Sequence, residues 1–270
     1  MSESVRAVER ALDVLLCFTK RTPELTMTQI AEQVGIHKST VHRLLATLEN
    51  KRFVQRDQDT GIYRLGIRIL QMAYLTLEHN DLRRVSTPFM RHLCEQYEEN
   101  IHLAVLDDID VVFVNIFEGS RRVKLAAAIG QRLPAFATAS GKAILGFMPE
   151  GIVQRILDRG MLQYTPYTLH TKDVILGDLK TVSELGFAIS EQEYEEQINA
   201  VAAPIFDLED QPIASIAVAG PAYRLTRERM IEIGPVIVTT ARDITREITM
   251  AAIPLANSVV DVPVSMGNGK

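Results

Sequence analysis

Residues 26–65 read TMTQIAEQVGIHKSTVHRLLATLENKRFVQRDQDTGIYRL, and this stretch decides the fold of the first part of the chain. Apolar residues recur at helical spacing in its first ten positions, and Thr26 followed by Gln29 matches a capping box at a helix start. Gly35 then supplies the left-handed residue that commonly ends a helix. The pattern predicts a short amphipathic helix that stops at a glycine turn.

The helix predicted after that turn has two contrasting faces. Val41, Leu44, Leu45 and Leu48 occupy positions i, i+3, i+4 and i+7, which predicts a buried stripe. The opposite face carries hydroxyls and cations with no acidic residue before Glu49, which suits a helix that enters the DNA major groove N-terminus first. The candidate DNA contacts, with those of the preceding helix and the following ribbon, are Thr28, Lys38, Ser39, Thr40, His42, Arg43, Arg56 and Arg64.

A short ribbon is predicted directly after this helix. Residues 53–56 and 63–65 have strand character, and Asp59-Thr60-Gly61 forms the turn between them. Two helices and a ribbon make a winged helix-turn-helix, a DNA-binding unit. The alternative is that the same winged helix serves protein–protein contacts in a small-molecule-binding protein.

Composition limits the kind of DNA contact that the chain can make. Its 270 residues suffice for one large domain or two ordinary ones, and 47% hydrophobic residues predict a sizeable core. The net charge of −5 argues against a protein that coats nucleic acid along its whole surface. Residues 1–66 carry a net charge of +2 and the remainder −7, so DNA contact is predicted to be local.

Cysteines and apolar runs give expectations about the compartment. Cys17 and Cys94 lie in apolar helical contexts without metal-ligand spacing, and we interpret them as buried residues in a reducing cytoplasm. The N-terminus lacks the pattern of a signal peptide, and no apolar run is long enough to span a bilayer. A soluble cytoplasmic protein without cofactor or metal is expected.

Helices flank the predicted DNA-binding unit, which we bound at residues 1–66. Val5, Val8, Leu12, Leu15 and Leu16 predict a first helix whose stripe packs beneath the helix-turn-helix pair. Residues 67–80 are apolar on more than one face, which predicts a linker helix that contributes to a dimer. Burial of that helix within its own subunit is the alternative.

Residues 81–251 predict an α+β domain, followed by a loosely ordered tail at 252–270. Helices and strands are mixed in this part of the chain, and the strands follow one another through short turns. The predicted strands are 101–106, 111–117, 123–128, 187–190, 201–207 and 213–219, with 130–134 as a loop and Ser140-Gly141-Lys142 at a helix start.

The chain resembles the IclR family of bacterial transcriptional regulators along nearly its whole length. The matching segments are VRAVERALDVL, IAEQVGIHKSTVHRLLATLENKRFV, IGQRLPAFATASGKAILG, LGFAISEQE, VAAPIFD and IASIAVAGPAYRLT. The resemblance implies a winged helix-turn-helix, a linker helix and a C-terminal GAF-like α/β domain. That domain would bind a small effector and mediate homodimers, often paired into homotetramers.

The resemblance also implies where the effector binds: at the start of the helix in TASGK and on the later strands. A helix N-terminus suits an anion, because its N–H groups are unpaired and the helix dipole is positive there. The segment is not a nucleotide-binding P-loop, since the upstream glycine and the following Ser or Thr are missing. The implied effector-binding residues are Leu133, Ala139, Ser140, Gly141, Ser190, Glu191, Ile198, Ala200, Ala217 and Ala219.

This sequence departs from the family pattern at four positions. Members that sense small oxoacids tend to have a cysteine and serines where Ala200, Ala217 and Ala219 stand, and a glycine where Gln197 stands. Three alanines leave a smoother and more apolar wall. Our hypothesis is an effector with a larger apolar or aromatic body and a carboxylate aimed at Ser140.

Catalysis is not expected from the residues present. The chain has no GxSxG motif, and His37 and His42 lie on different faces of their helix and cannot share a metal ion. His102, in a predicted strand, is interpreted as a core histidine, with a hydrogen-bonding role in the pocket as the alternative. The predicted function is a ligand-responsive repressor that binds a pseudo-palindromic operator as a dimer or a dimer of dimers.

Overall fold

A computed structural model describes residues 5–19, 21–78, 81–123 and 125–252. The chain divides into two compact units, Met1–Asn80 and Asp81–Lys270, which are described separately. The tail predicted at 252–270 lies outside the described residues, except for Ala252 at the end of the last helix.

The first unit is a winged helix-turn-helix, as predicted. Thr26 and Gln29 form the reciprocal capping box, and Gly35 ends the helix in the left-handed region with φ 68°. The N–H and carbonyl groups of Leu25 bond those of Tyr63, which joins the ribbon to the chain before the first of these helices. The elements are α1 (Arg6–Leu16), α2 (Met27–Val34), α3 (Lys38–Asn50), β1 (Val54–Arg56), β2 (Tyr63–Leu65) and α4 (Ile67–Glu78).

The prediction for the face of α1 is wrong. Four of the five residues of its predicted inward stripe are 54–75% exposed, whereas Val14 is fully buried against the core of α2 and α3. The helix is amphipathic, but its broad apolar stripe faces outward. The small core of the unit is instead covered by Val14, on the other side of the helix, and by Phe18. The exposed residues are Val5, Val8, Leu12 and Leu16.

The second unit is built on one six-stranded antiparallel sheet with helices on both faces. Its strand order is β5-β4-β3-β8-β7-β6. Helices α5 and α9 pack on one face, through Met90 and Ile237, and α6 and α8 pack on the other, through Ala143 and Val182. The elements are α5 (Asp81–Tyr97), β3 (Asn100–Asp107), β4 (Asp110–Phe117), β5 (Arg132–Pro134), a 3-10 helix (Ala135–Ala137), α6 (Ala139–Leu145), α7 (Glu150–Asp158), α8 (Lys172–Leu185), β6 (Ala188–Glu191), β7 (Ile198–Phe206), β8 (Pro212–Pro221) and α9 (Arg227–Ala252).

The third predicted strand is wrong, and the strand lies further along the chain. Residues 125–128 have no ladder partner, whereas Arg132–Pro134, predicted as a loop, pairs with β4 as an edge strand. Side chains hold the earlier segment instead: Asn100 donates to the Leu125 carbonyl, and the Gln131 side chain accepts from the Ala128 N–H. The Arg132 guanidinium fastens the new edge to Asp107 and Asp110.

Candidate DNA-contacting face and effector cavity

The recognition-type face of α3 is set by a buried stripe on its other side. Val41 and Leu45 are fully buried, and Leu48 nearly so, which leaves Lys38, Ser39, His42 and Arg43 exposed and Thr40 half-buried. These are the cation and hydroxyl positions that the sequence assigned to DNA.

The residue that starts α3 is not one that the sequence pattern predicts. His37 is the N-cap: its Nδ1 accepts from the Ser39 N–H at 3.3 Å and lies 2.8 Å from the Ser39 hydroxyl. A histidine is an uncommon cap, so propensity gave no signal for it. Its exposed ring adds a polar group at the helix end where a phosphate would bind.

The other predicted DNA contacts lie on α2 and on the ribbon. Thr28 is half-buried on α2. The Arg56 guanidinium lies 5.8 Å from the centre of the Tyr63 ring, a cation–π distance. Arg64 forms an exposed ion pair with Glu24 at 3.0 Å, so part of its charge is already balanced within the unit. Of the two ribbon arginines, Arg56 has the less compensated charge.

A cavity opens in the second unit between the sheet and the start of α6. Its empty volume is about 620 Å³, including the part open to solvent. The lining is His102, Phe113, Leu125, Ala126, Gln131, Leu133, Ala137, Thr138, Ala139, Ser140, Ser190, Tyr194, Glu195, Ile198, Asn199, Ala200, Ala217 and Ala219.

Eight of the ten implied effector-binding residues line this cavity. Gly141 and Glu191 do not. Glu191 follows the inward Ser190 in β6, so its side chain points to the opposite face, where it pairs with Arg227. At Gly141 a Cβ would lie 2.1 Å from the Ala135 carbonyl oxygen, so only a glycine lets α6 approach the 3-10 helix this closely.

The floor of the cavity is a patch of small side chains in register. Ala217 of β8 lies opposite Ala202 of β7, and Ala219 lies opposite Ala200. On its other side Ala217 faces His102 of β3. Because these pairs share one face of the sheet, the floor is apolar and presents no hydroxyl or thiol at the three alanine positions.

Polar and aromatic residues wall the cavity, and among them is His102, for which the sequence left a hydrogen-bonding role in the pocket as the alternative. The His102 ring packs on Phe113 with a centroid distance of 4.5 Å, and the residue is 5% exposed. Burial lowers the pKa of His102 to about 4, so the imidazole is neutral at neutral pH. It was interpreted as a core histidine, and it is buried, but it also lines the cavity. Only the strand register with Ala217 reveals that position.

A tight loop at 192–197 forms another wall through Tyr194 and Glu195. It begins and ends with residues of positive φ, Gln192 at 58° and Gln197 at 64°. The second of these explains why glycine suits that position in the family, since glycine adopts this conformation without strain. The Tyr164 ring packs against Tyr194 with centroids 5.1 Å apart.

A buried ion pair ties the same loop to α6. Lys142 is 1% exposed, and its Nζ lies 2.6 Å from Glu193 Oε1 and 2.8 Å from Asp178 Oδ2. Burial raises the pKa of Glu193, and the Lys142 charge opposes that rise. Thr168 donates to the Glu193 carbonyl at 2.6 Å. The loop that walls the cavity is therefore anchored from two sides.

Within the described ranges, no group of three or more His, Cys, Asp or Glu side chains is placed to hold a metal ion. None of the helices in that same part of the chain is long and apolar enough to cross a membrane.

Comparisons with known proteins agree with this architecture. A family model described as the IclR helix-turn-helix domain matches residues 7–58, and one described as the bacterial transcriptional regulator IclR C-terminal domain matches residues 74–246. The HTH-type transcriptional repressor AllR of Escherichia coli (strain K12) is 30% identical over 253 residues, 93% of each chain.

Solved structures share the fold. A putative transcriptional regulator from Rhodococcus sp. RHA1 superposes with a TM-score of 0.80 at 26% identity, covering 92% of this chain and all of that one. An IclR homolog from Microbacterium hydrocarbonoxydans, complexed with 4-hydroxybenzoate, has a TM-score of 0.77 at 24% identity over 89% of this chain and 99% of that one. The chain belongs to the IclR family of bacterial transcriptional regulators.

Proposed function

We propose that this regulator is a repressor that acts in the cytoplasm on a pseudo-palindromic operator and that a small effector alters its DNA affinity. The proposal of DNA binding is carried by the exposed face of α3. Cations and hydroxyls are exposed at Lys38, Ser39 and Arg43, while the opposite stripe is buried. Side chains of this kind reach base edges and phosphates when a helix lies in the major groove.

Exposed apolar side chains support a homodimer, alone or paired into a homotetramer. On α4, Ile67 and Leu70 are 54% and 64% exposed, and the outward stripe of α1 adds four more apolar residues. Surfaces of this kind on a small unit are usually covered by a partner. A second copy would bring two α3 helices to two half-sites about one or more DNA turns apart.

The effector proposed for the cavity has an apolar or aromatic body and a carboxylate. The alanine floor supports the apolar body, because it has neither hydroxyl nor thiol at Ala200, Ala217 and Ala219. Ser140, at the start of α6, is the proposed partner of the carboxylate. The 4-hydroxybenzoate in the Microbacterium protein is an example of such an acid in the same fold.

Arg43→Ala and Arg64→Ala should affect DNA binding differently. Arg43 is exposed on the recognition face, so its loss should relax sequence preference by about 1–3 kcal/mol at one base pair. Arg64→Ala should cause a modest loss of affinity that is equal for all DNA sequences, since Glu24 already pairs with this arginine. Fluorescence anisotropy with promoter-proximal DNA of its own operon, at several salt concentrations, measures both.

The wild-type protein is expected to show salt-sensitive, sequence-specific binding in that assay. Unchanged affinity and specificity in Arg43→Ala would contradict the placement of α3 in the groove. If the wild-type protein bound no DNA specifically, the winged helix would serve protein contacts instead.

Thermal-shift screening tests the effector class. Benzoate-type acids should raise the melting temperature of the wild-type protein more than oxoacids of the size of glyoxylate, because only they fill an alanine-floored cavity. Ala217→Leu, which narrows that floor, should lose the shift while still binding DNA. Stabilisation by the small oxoacids alone would count against an aromatic effector.

A further inference from the structure

The cavity lining includes a buried polar atom whose role neither the family motifs nor the fold explains. His102 Nε2 is enclosed and has no hydrogen-bond partner among the described residues, although the ring belongs to a strand in the middle of the sheet. An unpaired polar group in such a place is unfavourable, and most buried polar groups are satisfied. A ligand in the cavity would supply the missing partner.

Some polar groups of the lining already have partners within the protein. The Thr138 hydroxyl accepts from the Gly141 N–H and donates to the Pro134 carbonyl, and the Gln131 side-chain Oε1 accepts from the Ala128 N–H. Asn199 donates to the Leu225 carbonyl on the opposite face of β7, where α5 and α9 pack. Asn199 Oδ1 is also enclosed without a partner, but it lies on that opposite face, so His102 Nε2 is the enclosed and unpaired side-chain atom on the cavity side of the described lining.

The chemistry of the imidazole limits the group that it can bind. The ring is neutral because burial disfavours its charged form, so it offers a donor or an acceptor but no positive charge. A carboxylate only accepts, so it could bond only the tautomer that carries its proton on Nε2. A hydroxyl both donates and accepts, so it matches either tautomer of the neutral ring.

We propose that His102 is the residue that determines effector specificity, by hydrogen bonding through Nε2 to a hydroxyl on the effector's apolar body. The effector class is therefore a hydroxylated aromatic acid. This inference rests on the proposed effector cavity. Tilted packing against Phe113 holds the His102 ring, and its register opposite Ala217 places it beside the alanine floor. Ser140, on α6, binds the carboxylate end.

Calorimetric titration of the full chain with benzoate, 3-hydroxybenzoate and 4-hydroxybenzoate tests the proposal. The wild-type protein should bind at least one hydroxylated acid about tenfold more tightly than benzoate, the order expected for one buried hydrogen bond. His102→Phe keeps an aromatic ring against Phe113 but removes the nitrogen. It should reduce that preference to within about twofold, with little change in the affinity for benzoate.

A matched control and a second readout keep the test independent of variant folding. Ser215→Ala removes another buried and unpaired polar group from the sheet, outside the cavity lining, and should retain the preference for the hydroxylated acid. In the wild-type protein, the His102 Nε2 resonance in ¹⁵N NMR spectra should shift with the hydroxylated acid and not with benzoate.

The possible failures are distinguishable. If His102→Phe keeps the preference, or if the Nε2 resonance does not respond, the role of His102 is overturned while the cavity remains the effector site. If none of the three acids binds, the ligand class is overturned. If the wild-type protein does not bind an operator, that separate result contradicts the proposed regulator function and leaves the role of His102 unaffected.

Discussion

Lys142→Met is expected to lower the free energy of unfolding by about 3–5 kcal/mol, because it leaves a buried carboxylate without its cation. Lys142 is buried in α6 and holds Glu193 at 2.6 Å. Glu193 precedes Tyr194 in the loop that walls the cavity, so binding of an aromatic acid should weaken as well. Urea unfolding followed by circular dichroism measures the first effect and calorimetry the second.

The free energy of unfolding that Lys142→Met loses should increase with pH. In Lys142→Met the pKa of Glu193, already raised by burial, loses the opposing effect of the lysine and rises further. The folded state then binds a proton that the unfolded state has released, so stability falls as pH rises through the folded pKa. The variant should be less impaired at pH 5 than at pH 8, and adding Glu193→Gln should remove this dependence.

Lys172→Met is the matched control for that experiment. Lys172 pairs with Asp158, but both side chains are about half exposed, so the expected loss is at most about 1 kcal/mol. Equal losses in the two lysine variants would show that the buried pair contributes nothing beyond an ordinary surface contact.

Gly141→Ala is expected to destabilise the second unit by about 3 kcal/mol, at the upper end of overpacking effects. The added Cβ would lie 2.1 Å from the Ala135 carbonyl oxygen and 2.3 Å from the Ala135 Cα, both backbone atoms that cannot rotate away. Helix α6 would have to move off the 3-10 helix and take Ser140 with it. Thermal unfolding and ligand titration would record both consequences.

Gly151→Ala separates this steric effect from the general effect of removing a glycine. Gly151 lies in α7 with no atom within 4 Å of the position of an added Cβ. Alanine there should stabilise the helix by about 0.5–1 kcal/mol through propensity alone. A loss of stability in this control, or none in Gly141→Ala, would contradict the packing argument.

The helix-turn-helix could be predicted from the sequence because its determinants are local. The capping box of Thr26 and Gln29 and the left-handed Gly35 act within a few residues, and both occur in the structure. The buried stripe of α3 is likewise a helical repeat. The positions of the alanines and of Ser140 came from the family resemblance, which carries non-local information that a single pattern lacks.

Other features depended on contacts between distant segments. The outward stripe of α1 and the inward stripe of α3 have the same periodicity, and only packing shows that Val14 closes the core. The edge strand at Arg132–Pro134 exists because β4 offers it a partner. Periodicity cannot distinguish such alternatives, since it reports a face without saying what covers it.

The sequence by itself determined the winged helix-turn-helix, the mixed α+β second unit and the alanine substitutions in the predicted effector wall. The tertiary structure alone decided that His102 lines the cavity, that Glu191 points away from it, and that Gly141 is needed for packing. The physical reason is the sequence separation over which the determining contacts act. Caps and helical stripes act over about one turn, whereas the side of a sheet that a residue faces follows from strand register, which pairs positions more than a hundred residues apart, such as His102 and Ala217.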